Sequence, residues 1–242
     1  MYGWRARLGI LVPSGIIALE PEFNLMTPEG VSCHYHRFKF SGGNSEGEVV
    51  KRLREAQEFI ADASEIITHV RPAVVAMAGT GVSFIGGYGY DQMLIKKMKE
   101  RNGNLPTTTT STSVLDAFRK LGIKKVSMAM PYVEKVSRTA QKFVEDNGVK
   151  VLKAKWLNKA GTDIAELPKE TLYHLAREVD DPGSEAIFIS CISLHTIEII
   201  EKLENDLQKP VITSNQATMW NMLRLANIND RIQGYGQLLS NY

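Results

Sequence analysis

The sequence predicts an α/β fold of two pseudosymmetric lobes, each a parallel sheet flanked by helices, with a ligand cleft between them. Three observations lead there. Short apolar runs rich in β-formers alternate with helical patterns long enough to be crossovers. The order of these runs repeats in the two halves of the chain. In each half, two runs lead into loops with small, hydroxyl or thiol side chains.

The runs 8–12, 73–78, 125–129 and 186–190 read as the clearest strands. The runs 31–40 and 149–156 are less apolar strands, and 211–213 is a short one. Helical patterns cover 45–70, 90–101, 113–121, 133–147, 169–179, 195–207 and 216–226. Strand 8–12 runs into Pro13-Ser14 and strand 73–78 into Gly79-Thr80. Strand 125–129 runs into Met130-Pro131-Tyr132 and strand 186–190 into Cys191-Ile192. Open α/β sheets bind ligands at such C-terminal strand ends, so Gly79 and Cys191 fall in corresponding places around one Rossmann-like cleft. The predicted lobes are 1–115 with 215–242, and 116–214, the final helix returning to the first lobe. The Ser/Thr-rich run 106–113 reads as a strand plus a helix N-cap at the crossing between lobes.

Composition sets the class. A chain of 242 residues with 43% apolar and 23% charged side chains buries a substantial core. A net charge of +2 offers no basic excess for nucleic acid. No apolar run approaches the roughly 20 residues of a membrane span. Residues 1–7 lead directly into a run too short for a signal h-region with a cleavage site. Two cysteines, Cys33 and Cys191, make no disulfide framework, which predicts a reduced, cytoplasmic protein. A homo-oligomer is compatible with all of this.

Cys191 stands at a strand end with a helix N-terminus predicted after it, where backbone N–H groups hold anions and tune a thiol. An inert buried cysteine is the alternative. His195, one turn later, reads as a helix-face histidine. The segment Gly79-Thr80-Gly81-Val82-Ser83-Phe84-Ile85-Gly86-Gly87 is neither a P-loop nor a dinucleotide fingerprint. It offers N–H donors to a carboxylate or oxyanion, or else is a tight turn. Ser14-Gly15 and the Tyr132 phenol are further donor candidates. Glu20 and Glu22 could form a catalytic pair, but beside Pro21, which marks a local helix start, they read as capping or solvent-facing acids. Cys33, His34 and His36 do not make a metal site, because neighbours on a strand face opposite ways.

Taken together, these loops resemble the aspartate/glutamate racemase superfamily over nearly the whole chain. Ile10-Leu11-Val12-Pro13-Ser14, Leu19-Glu20-Pro21-Glu22-Phe23-Asn24, Ser83-Phe84-Ile85-Gly86-Gly87, Ser190-Cys191 and Thr213-Ser214-Asn215-Gln216-Ala217 are similar to its maleate isomerase branch. Gly79-Thr80, Thr109-Thr110-Ser111-Thr112, Tyr132 and Gly234-Tyr235-Gly236 are similar to its arylmalonate decarboxylase branch. The resemblance implies two lobes around a carboxylate-binding cleft. Racemases and isomerases of this kind use one cysteine from each lobe, and Gly79 occupies the first-lobe position here. The decarboxylase branch uses one cysteine, on the second lobe.

The implied activity is therefore cofactor-free, metal-free decarboxylation of malonate-type diacids, with Cys191 protonating the enediolate. The implied substrate contacts are Ser14, Gly15, Gly79, Thr80, Gly81, Val82, Tyr132 and Ile192. Gly81 stands where the decarboxylase has a hydroxyl donor, and Ile192 replaces a small residue. His34, His36 and Arg37 make their strand a polar pocket wall, fit to bind a second charge on a small aliphatic diacid. Isomerase-like or racemase-like chemistry and a non-catalytic carboxylate-binding relative are the alternatives.

Overall fold

The structure is a computed structural model describing residues 2–242. Met1, counted in the first lobe above, lies outside the described residues. The first half builds β1 (Ala6–Pro13), α1 (Leu19–Met26), β2 (Val31–Phe38), α2 (Glu46–Glu55), α3 (Gln57–Ile66), β3 (Val74–Met77), α4 (Thr80–Phe84), α5 (Tyr90–Lys99) and β4 (Thr107–Thr109). Helix α6 (Thr110–Leu121) leads to β5 (Lys125–Tyr132), α7 (Glu134–Asp146), β6 (Lys150–Lys159), α8 (Thr162–Ala165), α9 (Lys169–Val179), β7 (Ala186–Ile189), α10 (Ile200–Leu207) and β8 (Val211–Thr213). Helices α11 (Ser214–Leu225) and α12 (Gln237–Asn241) end the chain.

The strands form two separate four-stranded sheets, ordered β2-β1-β3-β4 and β6-β5-β7-β8. All pairings are parallel. The two orders are the same, so the second sheet repeats the topology of the first. Each has its switch point between its two central strands, where neighbouring crossovers leave opposite faces and open a crevice. The central strands β3 and β7 are buried along their whole length, because helices cover both sheet faces. That is why they read as unbroken apolar runs rather than as alternating ones.

Several boundaries differ from the sequence reading. Strand β5 runs on to Tyr132, and its ladder with β6 slips between Met130 and Tyr132, where Pro131 has no N–H to give. Strand β2 stops at Phe38, which frees Phe40 for the cleft. The expected helix 45–70 is two helices and a 3-10 turn. It bends at Ala56 because α2 packs on α4 and α7, whereas α3 packs on α5, β1 and β2. The expected helix 195–207 starts late, with a 3-10 turn at Ile197–Ile199 and then α10. His195 is consequently in an exposed loop, not on a helix face, with Nε2 3.0 Å from the Ala165 carbonyl oxygen. The run 106–113 is β4 followed by α6, with the Thr109 hydroxyl capping the Thr112 N–H.

Two of the contacts between the halves of the chain bear on the cleft. Helices α6 and α11, each following the fourth strand of its sheet, pack on one another. Asn221 Nδ2 donates to Asp116 Oδ2 at 2.8 Å across that seam. The second contact is Glu22, which is buried, not solvent-facing as expected. Its Oε1 accepts from the Thr196 and Ile197 N–H groups at 2.5 and 3.1 Å, and its Oε2 from Asn215 Nδ2 at 2.6 Å. The carboxylate of α1 thus caps the loop after β7 in place of a helix turn. Glu20 turns outward to Arg37, 2.6 Å away.

Two substitutions test this packing. Phe118 of α6 is fully buried edge-on against Phe188 of β7, with ring centroids 5.7 Å apart. Phe118→Ala should lower unfolding free energy by about 3–5 kcal/mol in urea titrations. Glu22→Ala takes the acceptor from the Thr196 and Ile197 N–H groups, the Thr196 hydroxyl and Asn215 Nδ2, and should cost about 2–4 kcal/mol in the same assay. Glu22→Gln should cost less, since its remaining oxygen can still accept from the Thr196 and Ile197 N–H groups.

Candidate active site

A cavity of about 390 Å³ opens at the C-terminal ends of the central strands of both sheets. Gly15, Gly79, Thr80, Gly81 and Val82 line it from the first half of the chain, and Tyr132, Cys191 and Ile192 from the second. Ser14 does not line it. That residue is exposed, and its Oγ accepts from the Phe40 N–H at 3.2 Å. The expected polar wall of His34, His36 and Arg37 is also absent from the cavity. They lie on β2, the sheet edge, and the side chains of His34 and Arg37 serve local structure. Arg37 Nη1 donates to the Ser14 and Ile16 carbonyls at 2.8 and 2.9 Å, pinning the loop that carries Gly15. His34 Nε2 pairs with Ser32 Oγ at 2.9 Å. Cys33 is half-buried against Thr27, away from the cavity.

Cys191 sits directly after β7 with φ of 144°, a conformation that side chains with a Cβ rarely adopt. Its N–H donates to Ser214 Oγ at 3.0 Å. Its Sγ accepts from the Ser193 N–H at 3.4 Å. Burial pushes the thiol above its ordinary range, against the opposing pull of the Ser193 N–H and of the Tyr132 hydroxyl. The expected helix N-terminus does not follow Cys191, so helix-dipole tuning of the thiol drops out. Tyr132 is buried beside it, hydroxyl to Ser190 Oγ at 3.2 Å. Burial holds the Tyr132 phenol far above its usual value, and the neighbouring Cys191 adds to that.

Gly79 occupies the matching place after β3. Its N–H donates to Thr110 Oγ1 at 3.1 Å, as the Cys191 N–H does to Ser214. Thr110 and Ser214 are each the first residue of the helix that follows the fourth strand of its sheet. The segment after Gly79 is α4, not merely a tight turn. A helix leaves its first N–H groups without internal acceptors, so those of Thr80, Gly81 and Val82 are the available donors. The Thr80 hydroxyl reaches across to donate to Ser214 Oγ at 3.0 Å. Beside Gly81, a Cβ would meet Leu53 Cδ2 at 2.9 Å, so Leu53 fills the space a side chain would take.

The sequence reading missed several lining residues. Phe40, Asn44, Arg52, Lys159 and Ser193 border the cavity, and Ser214 organises it from behind. Arg52 was concealed in what reads as one long helix, where a charged residue looks solvated. No aspartate or glutamate is among the lining residues, while Arg52 and Lys159 are. A cleft with that charge balance, a thiol and clustered N–H donors suits a carboxylate ligand. Among the described residues no group of three or more His, Cys, Asp or Glu side chains could hold a metal. No helix there is long and apolar enough to cross a membrane.

Known proteins are similar to this chain along most of its length. The arylmalonate decarboxylase family profile matches residues 8–239. Arylmalonate decarboxylase of Bordetella bronchiseptica is 29% identical over 236 residues, covering 96% of this chain and 95% of that one. Maleate isomerase of Alcaligenes faecalis is 22% identical over 249 residues, covering 97% and 96%. A solved structure of Nocardia farcinica maleate cis-trans isomerase superimposes with a TM-score of 0.90 at 20% identity, covering 98% and 99%. That structure is a cysteine-to-serine mutant with a covalently bound succinylcysteine intermediate. By its profile, its relatives and its paired four-stranded sheets, the chain belongs to the arylmalonate decarboxylase family, in the branch of the aspartate/glutamate racemase-like superfamily that also holds maleate isomerases.

Proposed function

We propose that this protein is a decarboxylase of malonate-type diacids in which Cys191 delivers the product's proton. The observation that carries the reading is the asymmetry of the cleft: one thiol, Cys191, faces a glycine, Gly79, at the equivalent place. The isomerase structure with a succinylcysteine keeps a nucleophilic cysteine after another has been replaced by serine, so that enzyme has at least two. Here the other cysteine, Cys33, lies outside the cavity.

In the proposed reaction, the N–H groups of Thr80, Gly81 and Val82 and the Tyr132 hydroxyl hold one carboxylate of the malonate. The second carboxylate lies against apolar lining such as Val82 and Ile192, where its charge is poorly solvated. The bond from that carboxylate to the α-carbon breaks, and carbon dioxide leaves. The electron pair passes into the retained carboxylate as an enediolate, stabilised by the same donors. The Cys191 S–H then protonates the α-carbon, and the resulting thiolate regains a proton from water. The retained carboxylate is its own electron sink, so every bond and charge is accounted for within these groups. Small dicarboxylates are the proposed ligands, in a protein of the cytoplasm.

A thiol acid must carry its proton at the start of each turnover. Burial raises the Cys191 pKa, so the S–H form dominates at neutral pH. The rate should hold through neutrality and fall only above the ordinary thiol value of about 8.5. A rate-pH profile with phenylmalonate checks this, and a decline already below pH 7 would sink the assignment. Cys191→Ser should lose about a hundredfold or more in kcat, since a hydroxyl is a much weaker acid.

Gly79 has φ of −171°, open to any residue, and an added Cβ would lie 3.0 Å from the flexible Met77 Sδ and 3.2 Å from Val82 Cβ, contacts that a shift of a few tenths of an ångström relieves. Gly79→Cys should therefore fold, and should place a second thiol on the opposite face of the carbanion. Chiral chromatography of the product from a methyl-substituted arylmalonate should show lower enantiomeric excess than with the parent.

The cationic lining favours one second reading, cis-trans isomerisation of a small unsaturated diacid, which brings two free carboxylates. Proton NMR in heavy water separates the two. Loss of carbon dioxide with deuterium at the α-carbon supports the first, and conversion of maleate to fumarate the second.

A further inference from the structure

Arg52 is the cavity's unexplained charge. It projects from α2 into the wall, half-buried, with its guanidinium 4.9 Å from the centre of the Phe40 ring. Its Nη1 donates to the Gly42 and Gly43 carbonyls at 3.0 and 3.2 Å. Its Nε is shielded from water and has no acceptor. The neighbouring acid, Glu48, is committed to the cap at Ser45. No acid lines the cavity, and Lys159 borders it from the opposite sheet. A half-buried guanidinium with no carboxylate partner is destabilising until an anion arrives.

We infer that Arg52 is the receptor for a distal anionic group of the substrate, which makes the preferred substrate a malonate with a carboxylate-bearing side arm rather than an aryl one. The inference rests on the decarboxylase reading for the word malonate, but the receptor role rests on the cavity alone. The chemistry says which carboxylate Arg52 takes. A cation beside the leaving carboxylate would stabilise a charge that the reaction removes, and so would slow the step. The retained carboxylate is already held by the Thr80, Gly81, Val82 and Tyr132 donors of the proposed reaction, so productive pairing is with a further carboxylate whose charge persists from substrate to product. Such a contact is equally strong in the ground and transition states, so it lowers KM and leaves kcat nearly unmoved. Arg52 Nη2, neither bonded to a carbonyl nor shielded, is the donor left for a carboxylate, and the Phe40 ring and the Gly42 and Gly43 carbonyls hold the guanidinium in place for it.

The test compares (2-carboxyethyl)malonate with propylmalonate, which replaces the distal carboxylate with a methyl group. The parent enzyme should favour the charged arm by about tenfold or more in kcat/KM, through KM. Arg52→Met should bring that ratio close to one, and Arg52→Lys should keep part of it, with folding of each variant checked by circular dichroism. A parent enzyme that prefers propylmalonate overturns the inference without any variant. So does a folded Arg52→Met that keeps the parent's ratio. Calorimetric titration with both compounds separates this result from the reaction itself. If neither malonate loses carbon dioxide, yet the charged one binds tighter and Arg52→Met abolishes the difference, the decarboxylase reading fails and the receptor stands. If both are decarboxylated with equal efficiency, the receptor fails and the reading stands.

Discussion

Two backbone N–H groups, each donating to the hydroxyl of a helix's first residue, hold the geometry on which the cleft depends. Gly79 gives its N–H to Thr110 and Cys191 gives its own to Ser214. In each case a strand end is tied to the start of the helix that follows the outermost strand of its sheet. The two helices, α6 and α11, then pack on one another, and Thr218 of the second donates to Thr110 of the first at 3.2 Å. The hydroxyls that position the two strand ends are thus linked through one buried polar cluster. A change at either hydroxyl would disturb both sides of the cavity.

Such a cluster is expensive to bury and useful once satisfied. Thr80, Ser83, Ser111, Ser190, Ser214 and Thr218 are all buried, yet each has a hydroxyl partner or a carbonyl to meet. Apolar packing would tolerate small slips between the sheets. A set of directional bonds does not, because each slip leaves a buried donor unpaired. Glu22 works in the same way from α1, holding the loop after β7 by its backbone N–H groups. The cleft is therefore rigid on the side where the thiol sits. Its chemistry is asymmetric although its frame is nearly symmetric.

What was legible in the sequence follows from which signals are local. Strands buried on both faces announce themselves as apolar runs, so β1, β3, β5 and β7 and the loops after them could be read directly. The pairing of Gly79 with Cys191 was legible for the same reason, since it needs only strand order. Ser14 was misread because it adjoins Gly15 in sequence, while the turn after β1 sends its side chain outward to the Phe40 N–H. Arg37 was misread because strand alternation says which face a residue takes but not that an edge strand's face meets a loop. Glu22 and Arg52 were beyond local reading. Their partners lie far along the chain or in the cavity itself, and a charge in a helical pattern looks like a solvated one until the tertiary structure removes the water.

The backbone at Cys191 has a further consequence. A φ of 144° suits glycine, and a residue with a Cβ is held there at an expense of about 1–3 kcal/mol. The opposite position shows the reverse mismatch. Gly79, with φ of −171°, uses none of glycine's conformational freedom, and a larger residue there would need only Met77 and Val82 to give way by a few tenths of an ångström. On conformational grounds alone the two residues are each in the other's place. If stability were the only pressure on this fold, drift would carry the second-sheet position toward glycine and leave the first free to vary. Under the proposed reaction the strain at the thiol is offset by chemistry at that atom, and without it the thiol's loss in a descendant would be easy and hard to reverse.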